Sequence, residues 1–133
     1  MSKSIRVTWL SDITMIKEVL NELSKICRAE ADRWYREPLT GALLYMNVGE
    51  RMALIHSEIS EAFEGYRKDK QDDHLPNRKA CEVELADALI RILDFAGDND
   101  MDIGGAFVEK MQYNRTREDH TDAMRSGPGG KKF

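Results

Sequence analysis

The chain has 133 residues, enough for one domain with its own core and too few for two comfortable ones. Apolar residues make up 41% and charged residues 33%, a globular composition rich in exposed helix surface. With 24 acidic against 20 basic side chains the formal net charge is -4, which argues against general nucleic-acid binding through a basic surface, although clustered acids can still hold phosphate through a metal ion.

Residues 1–10 show no clear period. Ser11 is a good N-cap, with Asp12 in the first turn. Ile16, Leu20, Leu23, Cys27 and Trp34 then recur at helical spacing, widened by Val19 and Ile26, so a first helix is expected over 12–34. Pro38 stops or redirects the chain, and the short apolar run "LTGALLYM" (39–46) reads as a turn of helix. Asn47 caps a second helix that runs to Lys68, with Glu50 completing a capping-box-like pattern. "KDKQDDHLPN" is the clearest loop. Asn77 is expected to cap a third helix, 78–97, ending at Gly97 as a C-terminal glycine would. Asp102 caps a fourth, 103–117. The remainder, 118–133, has Gly, Pro and charge without period and is expected as a flexible tail behind a single domain, 1–117.

No alternating strand pattern of useful length occurs, so the fold expected is an all-α antiparallel bundle of about four main helices. A bundle this small, with so many aliphatics in its first helix and in 39–46, is expected to complete its core by oligomerisation. The two cysteines, Cys27 and Cys81, lack CxxC or zinc spacing and read as reduced thiols. No apolar run approaches a membrane span, and "MSKSIRVTWLSD" has no signal-peptide core, so a soluble cytoplasmic protein is expected.

The second and third helices share a peculiarity. In "LIHSEISEAFEGYR" the apolar face is Ile55, Ile59, Ala62, Phe63 and Tyr66; Glu58 sits beside it, about 80° from the stripe's centre, and Glu61 lies further round. In "EVELADALIRIL" the face is Leu85, Ala88, Leu89, Ile92 and Ala96, with Glu84 and Asp87 at the same offsets. If the helices pack antiparallel, Glu58, Glu61, Glu84 and Asp87 can converge on one rim. Converging carboxylates repel unless a cation joins them, and an oxygen-only ligand set selects Mg²⁺ or Mn²⁺ over zinc. Such pairs are also common on any charged helix, so spacing alone leaves a solvated, salt-bridging face as the alternative.

Cations flank these acids. Arg91 follows Glu84 by two turns, Lys68 follows Glu61 by two turns, and Lys110, Asn114 and Arg117 form a stripe on the fourth helix. That arrangement suits a polyphosphate substrate, and simple neutralisation of the acids is the alternative. Trp34 can stack on a base or pack in a core or oligomer contact.

Together, ExxE in "HSEISEAFEGYR", ExxD in "EVELADALIRILDFAG" and the following "DIGGAFVEKMQYNRTR" resemble the MazG-like all-α nucleoside triphosphate pyrophosphatases, over about Asn47 to Arg117. The resemblance implies hydrolysis of a (deoxy)nucleoside triphosphate between its α- and β-phosphates, by in-line attack of a metal-activated water. It maps the family's metal-ligating and catalytic acids onto Glu58, Glu61, Glu84 and Asp87, holding two or more Mg²⁺ ions. It maps the substrate-binding positions of the fourth helix onto Lys110 and Asn114, with Arg117 beside them. It further implies a homodimer or homotetramer with sites near subunit interfaces. One departure is Ser57, where some relatives carry a further acid. A non-catalytic, metal-dependent nucleotide-binding module built on the same acids is the rival reading.

Overall fold

The computed structural model of the protein describes residues 9–131. Among them run α1 (Trp9–Glu30), a 3-10 turn (Asp32–Tyr35), α2 (Val48–Arg67), α3 (Ala80–Asp98), α4 (Ile103–Thr116), a second 3-10 turn (Glu118–His120) and α5 (Asp122–Ser126). No β-sheet forms among the described residues; extended backbone pairs only in the isolated bridges Arg36↔Leu43 and Gln71↔Lys79. The all-α expectation is met. Chain contacts divide the molecule into two compact units, Asn21–Met101 and the remainder, with α1 running through the boundary.

The unit Asn21–Met101 is organised by an antiparallel pair, α2 and α3. Gly65 near the end of α2 lies against Ala80 at the start of α3, Glu58 bonds Arg91 at mid-length, and Arg51 in the first turn of α2 bonds Asp98 at the end of α3. A Cβ at Gly65 would lie 3.0 Å from the Ala80 Cβ, so the helices approach as closely as small residues allow. Asn47 caps α2 as expected, its side-chain oxygen accepting from the Glu50 amide at 3.0 Å.

α3 starts later than its sequence suggests. Lys79, not Asn77, is the N-cap, and no side chain caps it. The preceding loop holds those residues back: the Asp72 amide donates to the Arg78 carbonyl, and the Ala80 amide to the Lys70 carbonyl, both at 2.9 Å. Gly97 is not the C-terminal glycine either. It lies inside α3, where a Cβ would meet the Ser24 carbonyl oxygen of α1 at 2.4 Å, and the left-handed residue beyond the helix is Asp100 (φ 50°).

α1 also departs from the expected 12–34. Its described part already runs from Trp9, so Ser11 is a helical residue rather than the N-cap. It ends at Glu30, and the tighter 3-10 turn swings Tyr35 inward to 4% exposure. The segment 39–46 is not a turn of helix. Glu37 accepts hydrogen bonds from the Leu39 and Thr40 amides, Gly41 is left-handed (φ 71°), and the chain folds back to the bridge with Arg36.

In the other unit, α4 starts as expected, with Asp102 accepting from the Gly105 amide at 2.9 Å and pairing with Lys17 of α1 at 3.2 Å. Val108 is buried. The residues expected as a tail carry the second 3-10 turn and α5, which Thr121 caps.

The buried face differs most from the sequence reading. On α2 it is Arg51, Glu58, Ala62 and Gly65; on α3 it is Ala80, Ala88, Leu93 and Ala96. Apart from Leu93, small residues and two charged ones thus form the buried face of the two helices. The large apolar residues expected there stay open in the single chain: Ile59 is 48% exposed, Phe63 64%, Tyr66 75%, and Leu85 and Leu89 about half.

Candidate metal centre

The seam explains why acids meet. Because Ala62, Gly65, Ala80 and Ala88 let α2 and α3 pack closely, the next positions round each helix face one another. Glu58 of α2 and Glu84 and Asp87 of α3 each bring a carboxylate oxygen within 4.8 Å of the other two. The cluster grades from inside to outside: Glu58 is buried, Glu84 half-buried and Asp87 exposed.

Electrostatics mark Glu84. Its pKa is pushed up to about 7, first by burial, then by a hydrogen bond with Glu58 and by the charges of Glu61, Glu58 and Asp87. Glu61 is exposed on α2 and stands outside the triad, although its charge reaches Glu84. Among the described residues the cationic partner of Glu58, at 8% exposure, is Arg91, whose Nε donates to its Oε1 at 2.7 Å. The triad offers carboxylate oxygen only, the donor set of a hard divalent cation. The cluster is therefore able to chelate a metal ion.

Arg91 also lines two cavities. One, of about 410 Å³, is bounded by Trp34, Met46, Arg51, Leu54 and Arg91. The other, of about 280 Å³, includes Trp34, Asp87, Ile90 and Arg91. Trp34 and Arg91 thus stand between an apolar-walled pocket and an edge of the acidic triad. Trp34 is 64% exposed, with Arg33 stacked 4.6 Å from its ring, so it is not a core residue within the single chain.

The other sequence candidates fall elsewhere. Lys68 pairs with Glu64 at 2.6 Å on an exposed surface rather than with Glu61. Lys110, Asn114 and the following Arg117 belong to the other unit. There Lys110 lies 4.7 Å from the Tyr113 ring, and Arg117 grips Asp119 through two nitrogens. Among the described residues the Asn114 Oδ1 is buried without a hydrogen-bond partner.

The sequence reading missed an ionic network beneath the larger cavity. Arg51 bonds Asp98 at 2.7 Å and Asp94 at 3.3 Å; Arg28 bonds Asp98 at 2.9 Å; Tyr35 donates to Asp94 at 3.0 Å and bonds Arg51. Burial, then the bond to Asp94, holds the Tyr35 hydroxyl well above the usual phenol range. One signal was available: Asp94 and Asp98 lie in the last turns of a helix with no basic residue there, against the helix dipole, so they require cations from elsewhere.

No protein-family model, no curated protein and no solved structure matches the chain. No helix among the described residues is long and apolar enough to cross a membrane.

Proposed function

We propose that the protein is a Mg²⁺-dependent nucleoside triphosphate pyrophosphohydrolase of the MazG-like kind, converting a (deoxy)nucleoside triphosphate to the monophosphate and pyrophosphate. One observation carries the reading: three carboxylates from two helices meet within 4.8 Å, at a partly buried seam that places Glu84 under strain as an anion. A divalent cation relieves that strain, and the ordered ExxE and ExxD motifs give the acids their family resemblance.

Mg²⁺ bound there supplies Lewis-acid polarisation of phosphate oxygens and a more acidic water. The chain's own residues do the rest. Glu58, Glu84 and Asp87 would hold a divalent ion, with Glu61 adding negative potential beside them. Arg91 sits where phosphate oxygens approach the triad, and Trp34 offers an exposed aromatic face for a base. Lys110 and Asn114 enter on the resemblance alone. The half-exposed Ile59, Phe63, Leu85 and Leu89 are covered by further copies of the chain, in a homodimer or homotetramer.

The decisive experiment is a panel of ribo- and deoxyribonucleoside triphosphates with Mg²⁺, assayed for pyrophosphate. Pyrophosphate is expected, and Glu58→Gln or Asp87→Asn abolishes it with helicity intact. Orthophosphate release counts against the reading. Metal-dependent binding without turnover on any substrate makes the protein a nucleotide-binding module instead.

A further inference from the structure

The Arg91–Glu58 pair suggests how the centre is loaded, an inference that rests on the metal-binding reading above. Glu58 is the most buried member of the triad, and a buried carboxylate needs a compensating cation. Arg91 provides one, through a single bond from Nε to Oε1 at 2.7 Å, while its side chain remains 42% exposed. That bond uses one of the guanidinium's five N–H donors, so four remain on the terminal nitrogens. The same side chain borders both cavities, one shared with Asp87 and the other with Trp34, Met46, Arg51 and Leu54.

A divalent ion and this guanidinium compete. Both seek the Glu58 carboxylate, and they repel each other at the few ångströms that separate them once the ion sits among the three acids. Two events relieve the conflict: the guanidinium leaves Glu58 for the adjoining cavity, or an anion arrives to neutralise it. Either event ties metal occupancy to an anion at Arg91.

We propose that Arg91 is a surrogate cation for the metal-free centre, which a divalent ion displaces from Glu58 and which then offers its free N–H fork to an anionic ligand in the adjoining cavity. Arg91 is thus a positioning residue that couples the two binding events, and linkage makes the coupling reciprocal.

Mn²⁺ binding to the full chain, followed by titration calorimetry with and without inorganic phosphate, tests this. Arg91→Gln is expected to bind Mn²⁺ alone about tenfold more tightly, because competitor and repulsion are both gone. Arg91→Lys, which keeps the charge, stays closer to wild type. Phosphate tightens Mn²⁺ binding in the wild type and not in Arg91→Gln. Unchanged or weaker Mn²⁺ binding by a helical Arg91→Gln overturns the inference, while wild-type binding that Glu58→Gln abolishes keeps the metal reading intact. Absence of Mn²⁺ binding by the wild type overturns both.

Discussion

A carboxylate oxygen of Glu58 on α2 lies within 4.8 Å of one of Glu84 on α3, across the seam between their helices. Burial first, then the neighbouring Glu58, Glu61 and Asp87 carboxylates, raises Glu84 to about 7, so it keeps its proton above the ordinary carboxylate range. The folded chain therefore binds more protons than the unfolded chain between the ordinary carboxylate value of 4.5 and about 7. Stability of the metal-free protein falls as pH rises through that window, and the loss is complete above it. Urea midpoints at pH 5 and pH 8 should show the drop. Glu84→Gln should flatten it, and saturating Mg²⁺ should remove it, because metal replaces the proton. Metal affinity itself should rise with pH through about 7.

Arg51 is 9% exposed and bonds two aspartates of α3, with its guanidinium about 5 Å from the rings of Tyr35 and Phe95. Replacing it strands Asp94 and Asp98 with fewer cations. Arg51→Met is expected to destabilise by about 3 kcal/mol, measured by denaturant unfolding. Tyr35→Phe, which removes one hydroxyl from the same network, should cost about 1 kcal/mol.

Gly97→Ala separates helix propensity from packing. In an open helix the change would stabilise by about 1 kcal/mol. Here the added methyl meets the Ser24 carbonyl oxygen at 2.4 Å, backbone that cannot swing aside. A net loss of about 1–3 kcal/mol is expected by thermal or urea unfolding. A gain would show that α1 does not sit this closely on α3 in solution.

Phe63, 64% exposed on α2, is a test of self-association. Light scattering coupled to size exclusion should give a dimer or tetramer for the wild type. Phe63→Glu, which charges an apolar face without touching the seam, should shift the mass toward the monomer. A monomeric wild type at tens of micromolar would remove the oligomer from the proposed function.

The helices themselves were legible in the amino-acid sequence, because apolar period and capping are local. Asn47 and Asp102 cap where they should, since an Asx side chain needs only the amide three residues on. The meeting of Glu58, Glu84 and Asp87 was legible in part: matched offsets on two helices allow it once they pack antiparallel, while Glu61, expected with them, stands outside. Long-range contacts decided the rest. Gly97 looked like a helix terminator but is a site of close helix approach. Asn77 looked like a cap, yet loop pairing commits the residues around it. Ile59, Phe63 and Leu89 looked like core, while the seam chose alanine, glycine and the buried pair of Arg51 and Glu58. A residue's periodicity says which face it shares. Only the partner helix, its distance and the charges it brings decide which face is inside.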